Sequence, residues 1–167
     1  RNLCAGQCPS TLLIGCCDSR VDPAILLGCD PGDIFMMRNI ANLVPPPAQD
    51  TGPHGVLAAI QFAVDDLKVE RIIVLGHSQC GGIHALMQGR SVGERPADYV
   101  SRWIDIAAPV RELVLRQLPH ASPEERCRAC EQASILISLK NLRRMENVQA
   151  RERRGALSLH GWYFDMA

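Results

Sequence analysis

The sequence predicts an α/β fold, with a mainly parallel central β-sheet flanked by helices. Residues 11–16 and 71–77 form short, continuous apolar runs, which are typical of strands buried on both faces of a sheet. Residues 33–38 follow the turn residues Asp-Pro-Gly and indicate a further strand between these two. Because a segment with helical spacing separates residues 33–38 from residues 71–77, parallel pairing of these strands through a crossover is favoured.

Helical spacing of apolar residues marks the segments between and after these strands. Between the second and third strands it is carried by five residues, Val56, Ile60, Ala63, Val64 and Leu67. A second helix is predicted to begin near Cys80. Residues 100–107 repeat the same spacing and predict a third.

The last third of the chain predicts one long helix followed by a strand. Ser122 is suited to an N-cap, a proline follows it, and Glu125 completes a capping box. The helix is predicted to run to about Arg154, where Gly155 ends it. Residues 157–164 then indicate a strand.

The composition narrows the class of protein. Eighteen Lys+Arg balance eighteen Asp+Glu over 167 residues, so no bulk charge attracts nucleic acid or an anionic membrane. No apolar run approaches the roughly 18 residues of a membrane span, and 47% hydrophobic residues argue against disorder. We expect one cytoplasmic α/β domain over residues 1–167. Both ends are expected to be incomplete, since the chain starts with Arg1 and ends in a strand-like segment.

Two of the predicted strands end in potential metal ligands. Cys16 ends the first strand, His77 ends the third, and Cys80 follows shortly after. Because the carboxyl ends of parallel strands share one edge of a sheet, we expect these side chains to meet there. Two thiolates and an imidazole suit zinc, which takes sulfur, nitrogen and oxygen ligands tetrahedrally. Cys80 also begins a predicted helix, whose dipole favours the thiolate form.

Asp18 and Arg20 closely follow the first of these cysteines. An arginine can hold a carboxylate through two parallel hydrogen bonds and keep it ionised. Held in this way, Asp18 can accept a hydrogen bond from water on a metal ion. Three protein ligands plus a water are typical of catalytic zinc sites, and four protein ligands are typical of structural ones. The residues alone leave both kinds of site open.

The two motifs gain specificity from their order. Cys16-x-Asp18-Ser19-Arg20 is followed later in the chain by His77-x-x-Cys80-Gly81-Gly82. Together they resemble the motifs of the β-class carbonic anhydrases. The resemblance extends through residues 31–35, 38–42 and 160–165, and therefore covers nearly the whole chain.

The resemblance implies a function, the reversible hydration of carbon dioxide to bicarbonate and a proton. It implies that Cys16, His77 and Cys80 bind Zn²⁺, and that zinc-bound hydroxide, oriented by the dyad of Asp18 and Arg20, attacks the carbon. In some members the aspartate moves onto zinc as a fourth ligand and closes the site. Two alternatives remain open: a carbonyl sulfide or carbon disulfide hydrolase on the same scaffold, and a non-catalytic zinc-binding module.

The resemblance also implies a substrate-binding set, whose members are Gln7, Phe35, Ile40, Phe62 and Gly81. Gln7 matches the tunnel glutamine of plant-like members, although Tyr is usual where Phe62 stands. Members that switch allosterically on bicarbonate carry Trp where this chain has Leu13, so an open, plant-like form is favoured.

The resemblance finally implies an assembly. The family's dimer places the substrate tunnel between two chains, so a homodimer or higher homo-oligomer is expected. In such a dimer Gln7, Phe35 and Phe62 would serve the metal site of the neighbouring chain.

The remaining cysteines are interpreted as packing residues. Of the eight cysteines, two are assigned to zinc, which leaves six. Cys127 and Cys130 share one predicted helix face and suggest a second metal or redox pair. Because the sequence places no further ligand near them except His120, packing is the favoured interpretation.

Overall fold

Four parallel strands form the centre of the computed structural model, which describes residues 3–48, 52–89 and 98–167. The strands of these residues are β1 (Thr11–Cys16), β2 (Ile34–Asn39), β3 (Arg71–His77) and β4 (Ser158–Phe164). They lie in the order β2-β1-β3-β4, and each neighbouring pair is parallel. The predicted fold class is therefore confirmed, and no strand bound differs from its prediction by more than one residue.

Helices flank the sheet. In the described residues they are α1 (Pro23–Leu27), α2 (Gly55–Gln61), α3 (Gly81–Met87), α4 (Tyr99–Ile104), α5 (Ala108–Gln117), α6 (Pro123–Leu142) and α7 (Glu146–Arg153). Of these, α6 contacts β3 and β4. The predicted helix after the second strand is α2, extended by a π-helical turn over Phe62–Asp66. None of the helices in this part of the chain combines the length and apolar character needed to span a bilayer.

Two helices were not predicted from the sequence. Helix α1 has only five residues and is held by its N-cap, since Asp22 Oδ1 accepts hydrogen bonds from the backbone N–H groups of Ala24 and Ile25. A helix this short shows too few turns for a periodic pattern to be read. Helix α5 follows α4 almost directly, through a 3₁₀ turn at Asp105–Ala107, and so no loop signal separates the two.

The single long helix predicted up to about Arg154 is wrong in its second half. Its start is confirmed, because Ser122 and Glu125 form the reciprocal capping box at 2.7 and 3.2 Å. The chain leaves the helix after Leu142, however, and Met145 is extended before α7 begins. The break has no Gly or Pro to announce it. Tertiary contacts set the new direction instead, since Arg151 donates to the Val64 carbonyl at 2.8 Å.

Helix α6 covers one face of the sheet at close range. Its Ile135 and Leu139 belong to the same buried cluster as the inward residues of β1 and β3: Leu12, Ile14, Ile72 and Val74. Glycines in the strands permit this approach, because a Cβ at Gly76 would lie 2.7 Å from Ile135 Cδ1, and a Cβ at Gly161 would lie 2.7 Å from Ile135 Cγ2. The first half of α6 continues past the sheet edge and packs near Cys80 and α3.

A methyl group at Gly76 is expected to disturb this contact. Gly76→Ala should lower the free energy of unfolding by about 1–3 kcal/mol, the usual cost of overpacking a buried contact. Urea denaturation measures the change. Gly55→Ala is the matched control, because a Cβ at Gly55 meets no atom within 4 Å. Equal stability losses in the two variants would contradict the packing argument.

Candidate functional site

The three predicted metal ligands meet at the carboxyl edge of the sheet. Cys16 ends β1, His77 ends the neighbouring β3, and Cys80 is the N-cap residue of α3. Parallel pairing of β1 with β3 brings the two strand ends side by side. The two Sγ atoms and an imidazole nitrogen all lie within 4.8 Å of one another, and all three residues are buried.

The His77 ring is oriented as a metal ligand requires. Its Nδ1 lies 2.8 Å from the Ser78 carbonyl oxygen, which can only accept, so Nδ1 carries the proton. Nε2 then has a free lone pair, and it is buried without a hydrogen-bond partner among the described residues. A backbone carbonyl on the distal ring nitrogen is a common way to fix a ligating histidine. Two thiols and this unpartnered nitrogen fit a zinc ion.

The two cysteine thiols differ in acidity. A hydrogen bond from the Cys80 thiol lowers the pKa of Cys16 to about 4, although burial acts in the opposite direction. The same hydrogen bond, with burial, raises the pKa of Cys80. The expectation that a helix start favours the Cys80 thiolate stays a prediction, because the two thiols share one hydrogen bond here, whereas a bound metal ion would take both as thiolates.

Asp18 and Arg20 form the expected pair beside the ligands. Arg20 Nε donates to Asp18 Oδ1 at 2.9 Å, Nη2 donates to Oδ2 at 2.8 Å, and the Arg20 backbone N–H donates to Oδ1 at 3.0 Å. These hydrogen bonds hold the pKa of the Asp18 carboxyl well below its usual range. Asp18 is therefore ionised at neutral pH, with the Arg20 side chain half-exposed beside it.

Arg20 also ties the two strand ends together. Its Nη2 donates to the Gln79 carbonyl at 3.0 Å, in the turn that lies between His77 and Cys80. Gln79 adopts a left-handed backbone conformation, with φ at 56°, which directs that carbonyl toward the arginine. The dyad is thus attached to both halves of the metal-ligand set.

Arg38 is a site residue that the sequence analysis missed. From β2 it donates to three backbone carbonyls at 2.8 Å, those of Cys16, Asp18 and Val21. It therefore fixes the loop that carries the first cysteine and the dyad. The only sequence signal was its place in a segment that resembles the family, and this signal gave it no chemical role.

Two of the five predicted substrate residues lie at the site. Ile40 and Gly81 line a cleft of about 300 Å³ together with Cys16 and Asp18. The Ile40 carbonyl accepts a hydrogen bond from Trp103 Nε1 at 2.7 Å, which anchors this wall of the cleft. Ala85 and Val100 line the cleft as well, so its wall is largely apolar, and Asp18 of the dyad lies at its side.

The other three predicted substrate residues lie away from this cleft within one chain. The rings of Phe35 and Phe62 contact each other, with centroids 5.8 Å apart. Phe35 lies four residues before the end of β2, about 13 Å from the carboxyl edge of the sheet. Gln7 is exposed in the segment that precedes β1. A single chain thus brings together Ile40 and Gly81 with the ligands, but not Gln7, Phe35 or Phe62.

Comparison with known proteins places this site in a family. A family model described as carbonic anhydrase matches residues 11–167. The chain is 41% identical over 165 residues to "Beta carbonic anhydrase 5, chloroplastic" of Arabidopsis thaliana, covering 99% of this chain and 54% of that relative. The chain belongs to the β-class carbonic anhydrases. It spans about half the length of this curated relative.

Solved β-class carbonic anhydrases resemble this chain in fold as well as in sequence. The β-carbonic anhydrase CcaA is 36% identical with a TM-score of 0.90, covering 98% of this chain and 72% of that one. A β-carbonic anhydrase of Sordaria macrospora is 34% identical with a TM-score of 0.83, covering 98% of this chain and 79% of that one. The family resemblance and the parallel sheet predicted from the sequence are both confirmed.

The contacts of Arg38 predict a large effect on stability. Arg38→Met keeps an aliphatic stem but leaves three carbonyls without their donor. Because hydrogen bonds to charged groups contribute about 1.5–3 kcal/mol each, the free energy of unfolding should fall by at least that much. Urea denaturation of the purified variant is the measurement.

Arg128→Met serves as the control for removing an arginine. Arg128 forms an exposed ion pair with Asp165 at 2.9 Å, and exposed pairs contribute about 0–1 kcal/mol. If the two variants lose similar stability, Arg38 does not have the anchoring role assigned to it.

Proposed function

We propose that this β-class chain is a zinc enzyme that hydrates carbon dioxide reversibly to bicarbonate and a proton. The observation that carries the proposal is the buried group of Cys16, His77 and Cys80, with its unpartnered imidazole nitrogen, beside the Asp18–Arg20 dyad. Membership of the family supports the same reaction.

Three side chains of this chain would hold the zinc ion: the thiolates of Cys16 and Cys80 and the Nε2 atom of His77. Zinc supplies Lewis-acid chemistry, and in carbonic anhydrases it is known to lower the pKa of a bound water to about 7. His77 needs no change of tautomer to take part, because the Ser78 carbonyl already holds its proton on Nδ1.

Asp18 orients the nucleophile in this proposal. Its Oδ1 accepts two hydrogen bonds from Arg20, whereas Oδ2 accepts one and keeps a lone pair available. An ionised carboxylate can only accept, so it takes a hydrogen bond from the attacking water and turns a lone pair of that water toward carbon. Arg20 keeps the carboxylate ionised and in place.

The engagement of Asp18 also supports an open site over a closed one. Both carboxylate oxygens contact Arg20 at 2.8–2.9 Å, and so the pair must break before Asp18 can act as a fourth metal ligand. A permanently closed, non-catalytic zinc module would need that rearrangement. The dyad geometry therefore favours the enzyme.

The substrate set extends the proposal to an assembly. Ile40 and Gly81 form an apolar wall suited to a small neutral gas. We assign Gln7, Phe35 and Phe62 to the site of a neighbouring copy, because they lie away from the cleft of their own chain. The matched Sordaria enzyme is described as tetrameric, which supports a homo-oligomer here. A cytoplasmic location is proposed on the reduced thiol ligands.

Metal content and turnover test the proposal together. The purified protein should contain about one zinc per chain and hydrate carbon dioxide in a stopped-flow assay at neutral pH. Light scattering should give at least twice the 18.3 kDa mass of the chain. Sulfide release from carbonyl sulfide without hydration would establish the hydrolase alternative, and zinc with neither activity would establish a non-catalytic module. A monomer would remove the proposed assembly.

Asp18→Asn should separate catalysis from metal binding. The amide cannot hold Arg20 as a charged acceptor and offers a donor where the water needs an acceptor. We expect the zinc content to stay unchanged while hydration falls by about 100-fold, the cost of a misplaced reacting group.

The matched control is Asp22→Asn, the same chemical change in the same loop. Asp22 caps α1, and Asn caps helices equally well, so this variant should keep full activity. Full activity in Asp18→Asn would remove Asp18 from the mechanism.

A further inference from the structure

A buried carboxylate on α6 contacts the backbone of a metal ligand. Glu131 is only 4% exposed, and both of its carboxylate oxygens are engaged. Oε1 accepts a hydrogen bond from the Cys80 backbone N–H at 3.0 Å, and Oε2 accepts one from the Tyr163 hydroxyl at 2.7 Å. One side chain thus links α3, α6 and β4 directly behind the candidate metal site.

This contact replaces one that helix α3 cannot make for itself. In a capping box, an acidic residue at the third helical position accepts the hydrogen bond of the N-cap backbone N–H. In α3 that position is Ile83, a buried apolar residue. The Cys80 side chain makes no cap hydrogen bond either, so its thiol is left to face Cys16 and His77. Glu131 supplies the missing acceptor from another helix.

Burial of the Glu131 carboxylate costs desolvation free energy, which indicates that its two hydrogen bonds have a functional role. Both donors to Glu131 are neutral groups, and a carboxylate withdrawn from water needs strong compensation. A neutral acceptor could satisfy one N–H at a lower desolvation cost. The carboxylate accepts from two groups at once, so the Tyr163 hydroxyl fixes one oxygen while the other accepts from the Cys80 backbone N–H.

We propose that Glu131 is the positioning residue for Cys80: its carboxylate fixes the Cys80 backbone so that the thiol meets Cys16 and His77 in ligand geometry. The role of Tyr163 is to hold that carboxylate. This inference rests on the proposed metal site, and it concerns how tightly and in what geometry the site holds its ion.

The choice of variants follows from the surroundings of Glu131. The residue lines a cavity of about 550 Å³ with Gln79, Gly81 and His84, so truncation to Ala would let water take over as acceptor. Glu131→Met fills the space and offers no such acceptor. Glu131→Gln keeps an oxygen that can accept from Cys80. Ser134→Ala is the matched control, because Ser134 is buried on the same helix and donates to the backbone carbonyl of Glu131 at 2.7 Å, so its removal leaves both hydrogen bonds of the Glu131 carboxylate in place.

The experiment measures zinc affinity by competition with a chelator, and the thiolate-to-cobalt absorption bands of the Co²⁺-substituted proteins. Glu131→Met should bind zinc about 10–100-fold more weakly, the usual loss when a partner that orients a ligand is removed. Its cobalt bands should shift. Glu131→Gln should recover most of the affinity, and Ser134→Ala should match the unsubstituted protein in both measurements.

The outcomes separate this inference from the proposed function. Unchanged affinity and cobalt bands in Glu131→Met would overturn the positioning role while leaving the zinc enzyme intact. Failure of the unsubstituted protein to bind zinc would overturn the proposed function instead. If Glu131→Met does not fold, Tyr163→Phe is measured in its place. Tyr163→Phe should also weaken zinc binding, by a smaller factor than Glu131→Met. An unchanged zinc affinity in Tyr163→Phe would also overturn the positioning role.

Discussion

Parallel pairing of β1 with β3 is the constraint on which the site depends. Cys16 and His77 are far apart in sequence, and they become neighbours because both strands run in the same direction and end at one edge of the sheet. An antiparallel pair would place the two ligands at opposite edges. The close approach of α6 secures the pairing, because Gly76 leaves room for Ile135 directly above β3.

Buried polar contacts then convert a sheet edge into a metal site. Strand pairing fixes where the chain leaves β1 and β3, but it leaves the loops beyond them undefined. Arg38 holds the first loop through three carbonyls, and Arg20 joins that loop to the Gln79 turn. Glu131 holds the Cys80 backbone from α6. The two cysteine ligands are thus held through groups on other elements, whereas the Ser78 carbonyl next in the chain orients His77.

The fold could be predicted from the sequence where the signal is local. Strands β1 and β3 are continuous apolar runs bounded by polar residues, and Ser122 and Glu125 mark the start of α6 with their own side chains. The end of α6 could not be predicted, because the contact that turns the chain there joins Arg151 to Val64 across the molecule. Helix α1 was missed because five residues carry no measurable period.

The sequence by itself determined which chemistry is available. It determined the three ligand types, the Asp18–Arg20 pair and the family, because these lie in short, ordered motifs. Only the tertiary structure decided how those groups are held. It placed the proton of His77 on Nδ1, brought the Cys16 and Cys80 thiols within hydrogen-bond reach of each other, and brought Arg38 and Glu131 to the site. The physical reason is distance along the chain: a hydrogen bond between remote elements depends on how those elements pack, and the sequence around one partner does not identify the other.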